Sequence, residues 1–340
     1  MGRRMGSSRI EASAQRRAAN RARALRREHK RVRARPIIAG ERVKTTIRCH
    51  DRRLFLAPYG DRRKNHQPQE LSNYIGYTIA RAQLLYGFDF NGGIAMGNHP
   101  HLDTTDVLGN RPNYKNSIHS CIARGVNARL GRSDSMFSSR GSVDTTTPSD
   151  EETLKDLAYT DTNPVEAGLL KWGHLWPGFT SYGWRFGESR TFRRPTWFYD
   201  VDSDDNPATV TLTRVRPKGI FPELSDDELS DKLMALCREL ERDKQRRMRK
   251  ENKRFMGLAK LARTKWWEQP RSWEDHFTLV PKVATSDKWR RIAELQRNQH
   301  WARAYAKADD EHCRGLRPVF PHGTWMMRVR FNVPVADKPP

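Results

Sequence analysis

The residues best suited to chemistry are two histidines, His99 and His101, in the stretch from Met96 to Leu102. Side chains two positions apart on an extended strand point to the same face, so the two imidazoles can share one divalent metal ion. Pro100 lies between them, and proline is tolerated only at an edge strand or where its missing N–H is not needed. The spacing therefore indicates a metal site at the edge or end of a strand, where a substrate can approach.

Two imidazoles do not complete a metal site, because Mg²⁺ and Mn²⁺ also take oxygen donors and water. Tyr159 and Asn163 lie about sixty residues further on and are four positions apart. Side chains with this spacing share one face of a helix. A phenol that can act as a nucleophile and an amide oxygen that can reach a metal would then lie side by side.

Taken together and in this order, these residues resemble the single-tyrosine HUH transposases, where HUH stands for His, hydrophobic, His. The matching segments are Gly97 to Leu102, Tyr159 with Asn163 to Leu169, and Trp176 to Tyr182. The resemblance covers about residues 40–185. Within that family, the chain resembles the REP-associated tyrosine transposases of bacterial genomes.

The resemblance implies an α+β fold with an antiparallel sheet of four or five strands, ferredoxin-like in outline, and helices packed on it. It implies that Tyr159 attacks a DNA phosphodiester and becomes a 5′-phosphotyrosine. It also implies a divalent metal, Mg or Mn, held by His99, His101 and Asn163. The expected partner is single-stranded or hairpin DNA. The expected assembly is a homodimer in which Tyr159 serves its own site or that of the second copy.

The sequence departs from the family pattern at three positions. Gly97 stands where proline is usual, Glu166 where arginine is frequent, and Asp103 at an inward-facing position that is usually apolar. Asp103 is either a further metal ligand or a mark of an inactive copy. A non-catalytic protein that binds single-stranded nucleic acid therefore stays open as a second interpretation. A replication initiator or relaxase is a third, although the chain lacks the GxxxxGK[ST] loop of the helicases that such initiators carry.

Charge and composition bound the class of protein. Lys and Arg number 63 against 40 Asp and Glu, a formal charge of +23 that favours a polyanionic partner, nucleic acid before an anionic membrane surface. No apolar run is long enough to predict a membrane span, and the Arg-rich start lacks the apolar region of a secretory signal, although it also fits an organelle transit peptide. The four cysteines form no CxxC pair, so the default is a reducing cytoplasm, and the resemblance implies a bacterial one.

Pattern, composition and the resemblance together predict four regions: a basic disordered arm over residues 1–36, an HUH transposase-like catalytic domain over 37–190, a linker with a strand over 191–224, and a basic, mostly helical accessory region over 225–340. In the catalytic domain, Ser149 caps the helix that carries Tyr159, and Pro164 is expected to stop it. Tyr159 would then lie in the last turn. Near the end of the chain, residues 320–331 are expected to form a closing strand.

A helix predicted over residues 113–130 carries basic side chains on one face and at its end. The pattern predicts either a solvated basic face or a track for the phosphates of single-stranded DNA, with stacking and phosphate contacts from the polar segment that follows. The candidate DNA-binding residues are Lys115, Arg124, Arg129, Arg132, Phe137 and Arg140.

Overall fold

The structure is a computed structural model that describes residues 34–59, 67–139, 141–200, 205–270 and 283–338. Contacts between Cα atoms divide the chain into a larger unit of residues 39–291 and a smaller unit made of residues 1–38 and 292–340. The boundaries at residues 36, 190 and 224 stay a prediction.

The larger unit is built on a four-stranded antiparallel sheet, which confirms the α+β class. The strands are β1 (Glu41–Thr46), β2 (Asp89–Ala95), β3 (Pro100–Asp106) and β4 (Val143–Thr146), in the order β2-β3-β1-β4. The β1–β3 register sets Thr46 opposite His101 and Lys44 opposite Asp103. Directly opposite side chains on one face of an antiparallel pair touch. The register alone therefore fixes which β1 residues neighbour the histidine strand.

Helices α1 (Pro68–Tyr86) and α2 (Arg111–Leu130) share an apolar core with the sheet. Leu71, Ile75 and Ile79 of α1 are buried at the three-to-four spacing of one helix face. Gly87 and Gly131 adopt left-handed backbone conformations directly after the two helices and end them.

Helix α3 (Asp150–Glu166) carries Tyr159 and packs on β2 and β3. The hydroxyl of Ser149 accepts a hydrogen bond from the N–H of Glu152, as its predicted capping role requires. The predicted end at Asn163 is wrong, because the helix continues through Pro164 to Glu166. Proline removes one backbone hydrogen bond but its fixed φ fits a helix, and Asn163, Pro164 and Val165 are all buried. Tyr159 therefore lies about two turns before the helix end.

The rest of the larger unit packs on two of these helices. Strands β5 (Ser189–Arg193) and β6 (Thr209–Thr213) pair with each other in a separate two-stranded sheet that packs on α1. Helix α4 (Asp226–Lys250) packs along α3, and a short helix α5 (Leu258–Leu261) follows. Helix α4 begins with the capping box formed by Ser225 and Glu228.

Helix α6 (Lys288–Cys313) leads into the smaller unit, which also contains α7 (Met326–Phe331). The closing strand predicted over residues 320–331 is wrong. Phe320 forms an isolated bridge with Val335, whereas the residues from Met326 onward satisfy their backbone groups within α7. Among the described residues, no helix is both long and apolar enough to span a bilayer.

Candidate active site

The four residues chosen from the sequence lie together where β3 meets α3. The ring centroids of His99 and His101 are 4.6 Å apart, and that of Tyr159 is 6.3 Å from His101. The amide nitrogen of Asn163 lies 3.3 Å from Nε2 of His101. Two segments that are about sixty residues apart in sequence thus place two imidazoles, a phenol and an amide in one cluster.

Both imidazoles are held by a hydrogen bond at Nδ1. The amide oxygen of Asn98 lies 2.6 Å from Nδ1 of His99, and the hydroxyl of Thr46 lies 2.8 Å from Nδ1 of His101. In metal sites, a partner of this kind on the other ring nitrogen sets the tautomer and the ring orientation. The arrangement leaves Nε2 of both histidines as the candidate ligand atom.

Burial keeps both histidines neutral. It lowers the pKa of His99 to about 4, aided by Arg48 and Arg52. The pKa of His101 is also lowered well below its ordinary value, chiefly by burial and then by His99 and Lys44. Neutral imidazole is the form that binds metal, so metal binding at neutral pH does not have to remove a proton from either ring.

The donor set fits one divalent metal ion, provided that Asn163 supplies the third ligand. Within the described ranges, no three His, Cys, Asp or Glu side chains group as metal ligands. A half-turn of the Asn163 amide exchanges its nitrogen and oxygen, and would place the oxygen beside Nε2 of His101. Two imidazoles and one carbonyl oxygen, with water in the remaining positions, suit an ion such as Mn²⁺.

Tyr159 is the exposed member of the cluster. Its side chain is 44% exposed, whereas its neighbours Ala158 and Thr160 are fully buried. Nζ of Lys44 lies 5.0 Å from the centroid of the phenol ring, close enough for a cation–π contact. Among the described residues, the Tyr159 hydroxyl has no hydrogen-bond partner, so it is available to a substrate.

A charged cluster beside Tyr159 joins Lys44 to Asp103 and Asp156, and we call it the Lys44 cluster. Nζ of Lys44 is 2.5 Å from Oδ1 of Asp156 and 4.0 Å from Oδ1 of Asp103. Burial raises the pKa of Asp103 to about 7, although Lys44 acts to lower it. Oδ2 of Asp103 and the hydroxyl of Thr160 are both buried, and the hydroxyl lies close enough to lower the pKa of Asp103, but no hydrogen bond of ordinary geometry joins them. Asp103 on β3 thus lies directly opposite Lys44 on β1.

A second charged cluster, the Arg214 cluster, fixes α3 from its other side. Nη2 of Arg214 donates to Asp161, Nη1 to the carbonyls of Ser181 and Trp184, and Nε to the carbonyl of Asn91, all at 2.9 to 3.0 Å. The Ser181 hydroxyl donates to the second oxygen of Asp161 at 2.6 Å. Asp161 lies on α3 between Tyr159 and Asn163, so this cluster sets the position of the stretch that carries both.

Glycine at position 92 makes that arrangement possible. The β2–β3 register shifts between Phe90 and Gly92, which marks a β-bulge. A Cβ on Gly92 would lie 3.2 Å from the Ser181 hydroxyl and 3.3 Å from Nη2 of Arg214. Glycine therefore leaves room for the guanidinium against the strand.

The candidate DNA-binding residues lie in different environments. Lys115 forms an ion pair with Asp144, and buried Arg129 pairs with Glu70. The Arg132 guanidinium lies 3.7 Å from the Phe55 ring centroid, Phe137 is packed in the core, and Arg124 is exposed on α2. Arg140 lies outside the described residues. Their role in binding DNA stays a prediction.

Sequence analysis missed four residues that shape the site: Thr46, Lys44, Asp156 and Arg214. Alternation along β1 puts Lys44 and Thr46 on one face, so a correct β1–β3 register would have found both. Arg214 and Asp161 are 53 positions apart. No local pattern connects them.

Comparison with known proteins gives one structural likeness. A solved structure of a REP-associated tyrosine transposase bound to a REP hairpin is similar over 44% of this chain and 81% of that one, at 16% identity and a TM-score of 0.35. No protein-family model and no curated protein matches the sequence.

Proposed function

We propose that this chain is a single-strand DNA nickase and strand transferase, of the kind that transposes bacterial mobile elements, with Tyr159 as the nucleophile. One observation carries the proposal: an exposed phenol lies beside two neutral imidazoles and an amide that fit a metal ion. The sequence resemblance to HUH transposases gives the reaction class, and the formal charge of +23 suits a polyanionic substrate.

The reaction exchanges one phosphodiester bond for another. The Tyr159 oxygen forms a bond to phosphorus while the bond from phosphorus to the 3′ oxygen breaks. The phenolic proton is lost to water, and the released 3′ oxygen takes up a proton. The products are a 5′-phosphotyrosine and a free 3′-hydroxyl. Because the phosphodiester energy is conserved in the tyrosine ester, a 3′-hydroxyl can later attack it and rejoin the strand.

His99, His101 and Asn163 would hold the divalent ion, Mg²⁺ or Mn²⁺. When bound, such an ion neutralises charge that develops on the phosphate oxygens, which lowers the barrier by several kcal/mol. The chain itself orients the imidazoles through Asn98 and Thr46 and keeps them neutral by burial. Nζ of Lys44 makes a cation–π contact with the ring of Tyr159.

The topology supports a ferredoxin-like catalytic domain. The elements β1, α1, β2, β3, α2 and β4 follow one another in the β-α-β-β-α-β order, and all pairs in the sheet are antiparallel. The proposal assigns helices α4 and α6 to the basic helical extension of this domain. We expect the working form to be a homodimer on single-stranded or hairpin DNA.

The proposal is tested with 5′- and 3′-labelled single-stranded hairpins, Mn²⁺ or Mg²⁺, and a denaturing gel. We expect a metal-dependent covalent protein–DNA band that disappears in Tyr159→Phe and in His99→Ala. Tyr86→Phe, at the end of α1, is the matched control and should keep the band. A band that persists in Tyr159→Phe would contradict the assignment of the nucleophile.

The second candidate is a non-catalytic protein that binds single-stranded nucleic acid. The observation that favours it is the carboxylate of Asp103, which pairs with Lys44 two strand positions from His101. Hairpin binding without a covalent band, across a hairpin library and with both metals, would select this candidate. Restoration of the band by Asp103→Leu would then identify Asp103 as the lesion.

A further inference from the structure

A groove in the larger unit, away from the residues of the candidate active site, has its own set of side chains. Trp172, His174 and Tyr182 form one wall, Arg238 and Arg242 of α4 line the other, and the groove has a volume of about 470 Å³. That volume is in the range of small-molecule sites in proteins. We call it the Trp172 groove.

The floor of the Trp172 groove is a fixed structure. Glu241 is buried, and its two carboxylate oxygens accept hydrogen bonds from the N–H of Gly173 at 2.6 Å and from the Tyr182 hydroxyl at 3.3 Å. The Gln245 amide donates to the Lys171 carbonyl at 2.8 Å. These bonds join α4 to the aromatic wall and hold the two walls at a constant separation.

Glycine at position 173 is required for this wall. A Cβ there would lie 2.6 Å from the Tyr182 ring, which is closer than real Cβ atoms approach. Any larger residue would displace Tyr182 from Glu241. Glycine at position 173 therefore allows Tyr182 to stay in the aromatic wall.

The aromatic wall contains two nearly parallel rings. The rings of Trp172 and His174 are nearly parallel, with an interplanar angle of 22° and centroids 6.4 Å apart. His174 is exposed and Trp172 is partly exposed. Planar nucleobases stack on such surfaces with little dependence on their identity.

The opposite wall supplies positive charge. Arg238 and Arg242 are exposed, and neither forms an ion pair with any described residue. Glu241 is the acid that lines the groove, and both of its oxygens already accept hydrogen bonds. Two guanidiniums against one carboxylate leave an excess of positive charge that suits the phosphate of a nucleotide.

We propose that the Trp172 groove binds one nucleotide of single-stranded DNA, with the base on Trp172 and His174 and the phosphate on Arg238 and Arg242. The choice of DNA as ligand rests on the proposed function. The groove would hold the strand that flanks the cleavage point and so add affinity that does not depend on the metal.

Binding is measured by fluorescence anisotropy with the full-length chain in a Tyr159→Phe background, so that no covalent product forms. The probes are a labelled oligothymidylate of about ten nucleotides and an abasic oligomer of the same length. We expect Trp172→Ala to weaken binding of the oligothymidylate about tenfold, and binding of the abasic oligomer much less. Trp172→Phe should restore most of the affinity.

The proposed contact between the phosphate and the two arginines is tested by salt titration. Arg242→Ala should reduce the slope of log affinity against log salt by about 0.7, the value for one phosphate contact on a single strand. Arg246→Ala is the matched control. It removes the same charge from the same helix, but Arg246 pairs with Asp243 and does not line the groove.

Two results would overturn the proposal: equal losses for the base-bearing and abasic oligomers in Trp172→Ala, or equal slope changes in Arg242→Ala and Arg246→Ala. The test of the groove can fail or succeed independently of the proposed function. If no covalent adduct forms on Tyr159, nicking is contradicted, but the affinities measured for the groove variants still hold. If nicking is observed and the groove variants bind DNA normally, only the groove proposal is contradicted.

Discussion

Helix α3 has a buried charged cluster on each of two sides, and the two clusters differ in how fully they are hydrogen-bonded. In the Arg214 cluster, all three guanidinium nitrogens donate and both oxygens of Asp161 accept. In the Lys44 cluster, Oδ2 of Asp103 and the Thr160 hydroxyl stay without a completed bond among the described residues. A fully bonded buried network rigidifies the fold, whereas an incompletely bonded one marks a strained or functional place.

The two clusters also lie in different surroundings. The Arg214 cluster joins α3 to β2 and to the segment around Ser181, and Arg214 is only 1% exposed. The Lys44 cluster lies beside the exposed ring of Tyr159 and on the face of β3 that carries His101. The first cluster therefore fixes the position of α3, and the second adjoins the candidate active site.

Arg214→Met should have the largest effect on stability. It leaves the Asp161 carboxylate buried without its cation, and removal of one partner from a buried pair costs about 3–5 kcal/mol. Urea unfolding measures the loss. Arg190→Met, which removes an exposed guanidinium paired with Glu188, is the control and should cost about 1 kcal/mol or less. Equal losses in the two variants would remove the distinction between the clusters.

Thr46→Val should act on the site without unfolding the chain. The hydroxyl bonded to Nδ1 of His101 is lost, and loss of such an orienting partner lowers metal affinity about tenfold or more. Titration with Mn²⁺ followed by electron paramagnetic resonance measures the affinity. Thr45→Val, whose hydroxyl donates to Asp144 instead, is the neighbouring control. Equal Mn²⁺ affinity in Thr46→Val and the unmodified protein would separate Thr46 from the site.

Asp103→Asn should have the smallest effect, and one that depends on pH. Because the folded-state pKa of Asp103 is raised from 3.8 to about 7, the folded chain retains a proton that the unfolded chain releases. This contribution to stability is therefore lost as pH rises from about 4 to 7. The asparagine has no such loss, so its Tm should exceed that of the unmodified protein above pH 7 and match it near pH 4.

Thermal melts across this pH range measure the difference, with the exposed Asp134→Asn as the control. A gain in Asp103→Asn that is constant with pH would show that Asp103 does not hold the extra proton. A loss at high pH would show that the carboxylate is needed as the partner of Lys44.

The parts of the site that lie within short segments could be predicted from the sequence. His101 lies on β3 and His99 directly before it, and Tyr159 and Asn163 share a helix, so spacing alone pairs them. The helix cap at Ser149 also follows from a local pattern, and the α+β class from the resemblance to HUH transposases. What brings these segments together could not be predicted, because it depends on the β1–β3 register and on Arg214, whose acceptors lie in three distant segments.

Two local predictions were wrong because tertiary structure overrode a local rule. Proline 164 was expected to end α3, but the buried residues around it keep the helix to Glu166. The alternating residues before Phe331 were expected to form a strand, but they form α7, and Phe320 pairs with Val335. Both errors concern boundaries at which packing, rather than propensity, decides the outcome.

The most direct test of the central claim is to map the covalent adduct. The protein is incubated with hairpin DNA and Mn²⁺, digested with protease and nuclease, and analysed by tandem mass spectrometry. The account predicts a nucleotide attached through its 5′-phosphate to Tyr159, and a free 3′-hydroxyl on the released strand. An adduct on another residue, or cleavage that leaves a free 5′-phosphate and no adduct, would contradict it.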